Sequence, residues 1–182
     1  MQKKQKIGIV KKLDILENQA NYVYLALGSN LGKKIYNLEL AKYKLSENGL
    51  YIVKSSSYYI TKSWPNPKFP DYINSVLLVK TNLTLIKLFT KIKQIEKLIG
   101  RIKAKRNYPR ICDIDIIDFN GETFNLMKLD IVIPHSKMHK RNFVLLPLFE
   151  INKSWIHPKT KKNIVNLISN LKHDDIRTIK FV

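Results

Sequence analysis

An α+β domain is predicted for this 182-residue chain by three observations. Apolar runs of strand length alternate with two stretches of helical repeat, each helical stretch stops at a glycine, and an Asn-Gly pair follows one of the later strands. A hydrophobic content of 45% is enough for one domain with a buried core, and the length leaves no room for a second catalytic domain.

Residues 1–21 carry scattered lysines without periodicity and are read as a basic N-terminal extension; an extra first strand or a misassigned start are the alternatives. From Tyr22 the run YVYLAL is rich in strand formers and enters Gly28-Ser29-Asn30, a glycine turn with residues suited to capping a helix. The helix is expected over about residues 33–48, with Ile35, Leu38, Ala41 and Leu45 on its inner face and Gly49 as its left-handed stop. LYIVKSSSYYIT reads as one strand. After it, TKSWPNPKFPD holds three prolines and is a loop whose Trp64 and Phe69 either close over a ligand or pack on the surface.

Residues 72–80 read as a buried strand, and the next helix sets Leu85, Leu88, Phe89, Ile92, Ile95 and Ile99 on one face before Gly100. ICDIDIIDF is the following strand, and Asn120-Gly121 is expected to turn it into a return strand near residues 122–132. Strand, helix, strand, strand, helix, strand is the split β-α-β arrangement of a ferredoxin-like β-α-β-β-α-β core, with a β-hairpin and C-terminal helices added. Residues 22–182 are expected to form this single domain.

The charge balance, 33 Lys+Arg against 14 Asp+Glu for a net +19, favours anionic partners but does not choose among nucleotides, nucleic acid and membrane surface. Most of the excess is lysine in a chain also rich in Ile and Asn, a bias that a low-GC genome produces without functional pressure. The five arginines are therefore more informative, because a guanidinium grips phosphate oxygens with two parallel bonds. Arg101, Arg106 and Arg110 fall close together, whereas Arg141 and Arg177 stand apart. One cysteine, Cys112, excludes an internal disulfide and suits a reducing cytoplasm. No apolar run reaches the roughly 18 to 20 residues of a membrane span.

On the strand through residues 112–116 side chains alternate, so Asp113 and Asp115 share a face about 7 Å apart while Cys112, Ile114 and Ile116 point into the core. Two carboxylates without histidine or cysteine suit Mg²⁺, whose remaining ligands come from water and phosphate. Asp-x-Asp taken alone also fits a solvated strand face. Its surroundings separate the two readings: Arg101, Arg106 and Arg110 lie on the approach, and His135, Met138, Arg141 and Phe143 follow downstream.

In order along the chain, LALGSNLG (residues 25–32), Asp71-Tyr72-Ile73-Asn74, Gln94-Ile95-Glu96, Gly100-Arg101, PRICDIDII (109–117), IPH (133–135), Met138 and RNFVLLPLFEI (141–151) resemble the 6-hydroxymethyl-7,8-dihydropterin pyrophosphokinase family of folate biosynthesis. The resemblance covers the chain from about Tyr22 onward. It implies a ferredoxin-like fold and an enzyme that moves pyrophosphate from MgATP to the pterin hydroxymethyl group, releasing AMP. It further implies that Asp113 and Asp115 hold two Mg²⁺ ions and that Arg101 and Arg110 are catalytic. Glu96, Arg110, Ile116, His135 and Arg141 would serve the nucleotide, and Thr61, Tyr72, Asn74 and Phe143 the pterin. Asn107 and Tyr108 depart from the family's usual Trp and Gly/Ala, and Lys93, Asp130, Val132 and Ser136 differ from its nucleotide-contacting types.

The expected partners are thus two small molecules, with no nucleic acid and no membrane, acting on a cytoplasmic monomer. Two other classes share some of these features. A palm-type nucleotidyl transferase also uses strand-borne acids, but leaves Gly28-Ser29-Asn30 without a role. An RNA-binding module suits the charge and nine tyrosines, but lacks the aromatic strand signature and has no use for paired aspartates.

Overall fold

The computed structural model describes residues 20–63, 66–102, 108–129 and 131–182, apart from the side chains of residues 174 and 175. Residues 1–19 of the basic extension, Trp64, Arg106, Asn107 and Asp130 lie outside the described residues. Asn21, assigned above to the extension, opens β1 and is fully buried.

Strand β1 (Asn21–Ser29) runs antiparallel between β4 (Tyr72–Thr81) and β5 (Asp113–Phe119). On the far side of β4 lie β2 (Tyr51–Ser55) and β3 (Tyr59–Thr61), and a two-residue strand, Lys180–Phe181 (numbered β8 in chain order), continues the sheet past β3. The result is a mixed α+β fold on an antiparallel sheet.

Alternation along the strands divides the sheet into two faces. Val23, Leu25, Leu27, Ile73, Leu77, Val79, Ile114 and Ile116 point to the first face and pack on Leu38, Ala41 and Leu45 of α1 (Lys34–Glu47) and on Leu85, Leu88, Ile92 and Ile95 of α2 (Leu85–Leu98). Val76 and Ile117 point to the second face, beneath Val144, Leu145 and Leu148 of α3 (Asn142–Ile151) and Ile164 and Leu167 of α4 (Ile164–Ser169). A short α5 (His173–Arg177) follows. Glu150 ties α3 down, accepting from Tyr59 Oη at 2.8 Å and from Ser57 N at 2.9 Å.

Four expectations are corrected. The run 51–61 is two strands, because the regular ladder breaks at Ser56: its N–H donates to the Val76 carbonyl at 2.9 Å, but Val76 N donates to the Ser56 hydroxyl at 2.9 Å in place of a backbone carbonyl. The turn at Asn120-Gly121 forms with both φ values positive, but its return is only the bridge Phe119↔Glu122. The chain then leaves the sheet and β6 (Phe124–Leu126) pairs with β7 (Ile131–Ile133). Ile35 is 43% exposed, and Asn37 takes the inner position, its amide donating to Ser29 Oγ at 3.2 Å and the Leu31 carbonyl at 2.9 Å. The entry to α1 therefore has no N-cap side chain; Asn37 secures it from within the helix.

Between Tyr24 and Leu25 the pairing with β5 shifts register, leaving Ile117 as an extra residue. Ile117 and Asp118 are thereby both turned toward the second face. Buried Asp118 accepts from Trp155 Nε1 at 2.7 Å and from Gly121 N at 2.7 Å. Burial pushes this carboxyl above its ordinary value of 3.8, the two donors countering in part. A raised carboxyl binds its proton more tightly folded than unfolded, so its contribution to stability declines as pH rises from about 4 through the folded value. Denaturant unfolding between pH 3 and 7 should show this slope in the parent protein and a smaller one in Asp118→Asn. Asp118→Ala, which strips both donors of their acceptor, should cost about 2–4 kcal/mol at neutral pH.

Candidate active site

Past the N-terminal end of α3 the second face of the sheet gathers most of the residues singled out by sequence; Gly28 and Asn74 are buried there, while Tyr72, Asp113 and Asp115 are partly exposed. Asp113 pairs with Gly28, Gly28 with Asn74, and Asn74 with Tyr59, forming one row across four strands. The next row outward brings Thr61 opposite Tyr72. With strands about 4.8 Å apart, the aspartate and the asparagine stand about 10 Å from each other with only a glycine between them. A Cβ on Gly28 would lie 3.3 Å from Asn74 Oδ1 and 3.5 Å from Tyr72 Cδ1. The bare glycine is therefore the floor of a slot between Asp113 and Asn74, which Tyr72 bridges with its ring beside that floor and its hydroxyl on Arg110.

Asn74 is 4% exposed and donates through Nδ2 to Thr61 Oγ1 at 2.9 Å and, more weakly, to the Tyr59 carbonyl at 3.4 Å. Its amide is thus fixed before any ligand arrives. Burial raises the Tyr72 hydroxyl, while Arg110 hydrogen-bonds it and lowers it.

Arginines surround the two aspartates. Arg101 Nη1 lies 2.7 Å from Asp113 Oδ1 and Arg110 Nη1 2.8 Å from Asp113 Oδ2, while Arg141 Nη1 reaches Asp115 Oδ2 at 3.4 Å. Partial burial pushes the Asp113 carboxyl up, but Arg101 and Arg110 outweigh it and the net direction is down. Asp115 goes up, first by burial and then by the Asp113 charge, against smaller pulls from His135 and Arg141. A quarter to a third of each side chain stays open to solvent, so both remain accessible to an incoming cation. His135, partly buried next to Asp115, is shifted down by burial against the pull of that charge. Arg141 also lies over the Phe143 ring, 5.5 Å from its centroid.

Glu96 sits behind the strand, 1% exposed. One oxygen accepts from Ile114 N, the amide between the two aspartates, at 2.8 Å, and also meets Arg101. The other pairs with Lys93 at 2.9 Å. Burial raises its pKa despite these cations. Glu96 consequently supports the aspartates and Arg101 from below. Ile116 is packed in the first-face core, so its side chain is not brought to the site. Phe69 rests on the Tyr108 ring at 5.6 Å between centroids. Gly28, read above as part of a turn, instead pairs on both sides within β1, and Asn30, read as a helix cap, ties loops together.

Among the described residues no group of three or more His, Cys, Asp and Glu is placed to hold a metal by itself. Asp113 and Asp115 offer hard oxygens only, a donor set that fits Mg²⁺ if water and phosphate supply the other ligands.

The 7,8-dihydro-6-hydroxymethylpterin-pyrophosphokinase family model matches residues 24–153. The 2-amino-4-hydroxy-6-hydroxymethyldihydropteridine pyrophosphokinase of Aquifex aeolicus is 39% identical over 140 residues, 77% of this chain and 86% of the relative. That of Haemophilus influenzae is 35% identical over 76% of this chain and 86% of its own length. The folic acid synthesis protein fol1 of Pneumocystis carinii is 33% identical over 93% of this chain, which spans only 22% of that relative. Among solved structures, a Plasmodium falciparum HPPK-DHPS superposes with a TM-score of 0.69 at 18% identity, over 92% of this chain and 49% of the other. The chain thus spans about a fifth of the fungal relative and about half of the Plasmodium chain.

Replacing Glu96 by Ala leaves the Ile114 amide and part of the Arg101 guanidinium without their acceptor. Chemical denaturation should register a loss of about 2–4 kcal/mol. A change within about 0.5 kcal/mol would show that the buried carboxylate does not support the strand.

Proposed function

Because the chain belongs to the 7,8-dihydro-6-hydroxymethylpterin-pyrophosphokinase family, we propose that it transfers pyrophosphate from ATP to the hydroxymethyl group of 6-hydroxymethyl-7,8-dihydropterin, releasing AMP. The observation that carries this reading is the juxtaposition on one sheet face of a carboxylate pair ringed by arginines and a glycine-floored slot ending in a fixed amide. The first suits a polyphosphate and the second a flat heterocycle with adjacent donors and acceptors.

The pterin takes the slot as Tyr72 swings off Arg110, its polar edge on Asn74 near Thr61 and its rings against Tyr72 and Phe143. Its hydroxymethyl group then points along the floor toward Asp113. The hydroxyl oxygen forms a bond to the β-phosphorus as the bond from that phosphorus to the α–β bridging oxygen breaks. That electron pair leaves with AMP, and the hydroxyl proton passes to solvent. Arg101 and Arg110 leave Asp113 to grip the transferring group and neutralise the charge that builds on its oxygens. Arg141 and His135 hold the nucleotide from the other side of Asp115, while Glu96 keeps Arg101 in place. Two Mg²⁺ ions, held by Asp113 and Asp115, would supply charge neutralisation across the triphosphate and orientation of the hydroxyl.

The core is read as ferredoxin-like, supported by the strand order β5-β1-β4-β3 with α1 and α2 on one face. Residues 22–182 would act as one catalytic unit, a monomer serving two small molecules without nucleic acid or membrane. No helix among the described residues is long and apolar enough to cross a membrane. The buried, unpaired Cys112, its thiol pushed up to about 12 by burial, suits a reducing cytoplasm. A palm-type transferase would leave the amide-lined slot unexplained.

Incubated with MgATP, the protein should form AMP only when the pterin alcohol is present; pterin-independent AMP would sink the assignment. Asp113→Ala and Asp115→Ala should each lower the rate about a thousandfold or more while the far-ultraviolet circular dichroism stays unchanged. Full activity in either variant would remove the metal role from that residue.

A further inference from the structure

Asn30 follows β1 directly and is 1% exposed. Three segments meet on it. Its Oδ1 accepts from Arg110 N at 2.8 Å, and its own backbone N–H donates to the Arg110 carbonyl at 3.2 Å. Its Nδ2 donates to Ser63 Oγ at 3.2 Å and to the Pro70 carbonyl at 3.3 Å. Ser63 is in turn fixed to the same carbonyl, its hydroxyl donating at 2.6 Å. Both backbone polar groups of Arg110 are thus held by one residue. That residue is anchored to the connection between β3 and β4, which starts beside Thr61 and ends beside Tyr72.

We infer that Asn30 is a positioning residue for the transfer step, aligning Arg110 with the edge of the slot. This rests on the role given to Arg110 under the proposed function. Rigid placement matters because the guanidinium has to leave Asp113 and reach the transferring phosphorus without its backbone following. A shift of about 1 Å in such a group can cost about 100-fold in rate. Asparagine fits the position because a carboxamide carries an acceptor and two donors on a short stem. Aspartate would set a carboxylate oxygen against the Pro70 carbonyl, and alanine would leave the Arg110 amide without its partner. Asn30 itself sits under the loops, so its effect passes through Arg110.

The test is a double-mutant cycle on the full chain, measuring kcat and KM for both substrates in Asn30→Ala, Arg110→Ala and the double variant. Asn30→Ala should lower kcat about 10- to 100-fold with each KM within about 3-fold of the parent. In the Arg110→Ala background the same substitution should cost less than about 3-fold. Losses that multiply, or an effect confined to KM, would overturn the inference.

Ser63→Ala, which removes one anchor of the Asn30 amide and leaves the bond to Arg110 in place, repeats the cycle where Asn30→Ala folds poorly. It should lower kcat about 3-fold in the parent and leave it unchanged beside Arg110→Ala; equal losses in both would count against coupling. An Arg110→Ala variant with parental kcat would overturn the assigned role of Arg110 and this inference with it. Multiplicative losses overturn only the inference.

Discussion

Two carboxylates two residues apart on one strand repel each other, and the strand end is organised around that repulsion. Asp113 keeps its charge because Arg101 and Arg110 sit against it, and Asp115, with Arg141 farther off, has its pKa raised. A third carboxylate, Glu96, lies below and holds Arg101 and the amide between the two aspartates. Acid and base alternate through the cluster, which limits the cost of gathering so many charges in a partly desolvated place. Under the proposed function, the same arrangement would keep the arginines on the carboxylates until an anion and its cations arrive.

The sheet separates stability from ligand access. Its first face is closed by α1 and α2 over a continuous aliphatic layer, and its second is covered only as far as α3 and α4 extend. The slot occupies what remains. Because Asp113, Gly28 and Asn74 pair directly across the ladder, the distance between the acidic wall and the amide wall is set by backbone hydrogen bonds rather than by mobile side chains. Asp118, one bulge farther along β5, links this strand to Trp155 and so to the elements that cover the other half of the face.

The high lysine content acts differently from the arginines. Lysines lie along the helices and loops, as in the Lys44–Glu47 pair on α1, and such exposed pairs contribute little. At the site the cations that touch the aspartates are arginines, Arg101, Arg110 and Arg141. The net charge of +19 would draw anions toward the protein, and under the proposed function the planar guanidinium groups would discriminate at short range.

Period-two and helical spacing determined β1, β4 and β5, both long helices, the common face of Asp113 and Asp115 and the glycine stops at Gly49 and Gly100, because these depend on neighbours in the chain. The family resemblance also singled out Thr61, Tyr72, Asn74, Phe143, Arg101, Arg110 and Arg141 as expected ligand-facing residues. Other features depend on contacts between distant segments. Ser56 splits a strand only because Val76 presents an amide to its hydroxyl; β6 leaves the sheet to pair with β7; and Glu96 meets the strand at the Ile114 amide. Gly28 becomes a slot floor and Asn30 a tie between loops only once β1, β4 and β5 lie side by side. The sequence determined which chemical groups are present and which way each strand turns them. Only the tertiary structure decided which of them meet, because hydrogen bonds and ion pairs between residues tens of positions apart are set by the register of the sheet and the packing of its two faces.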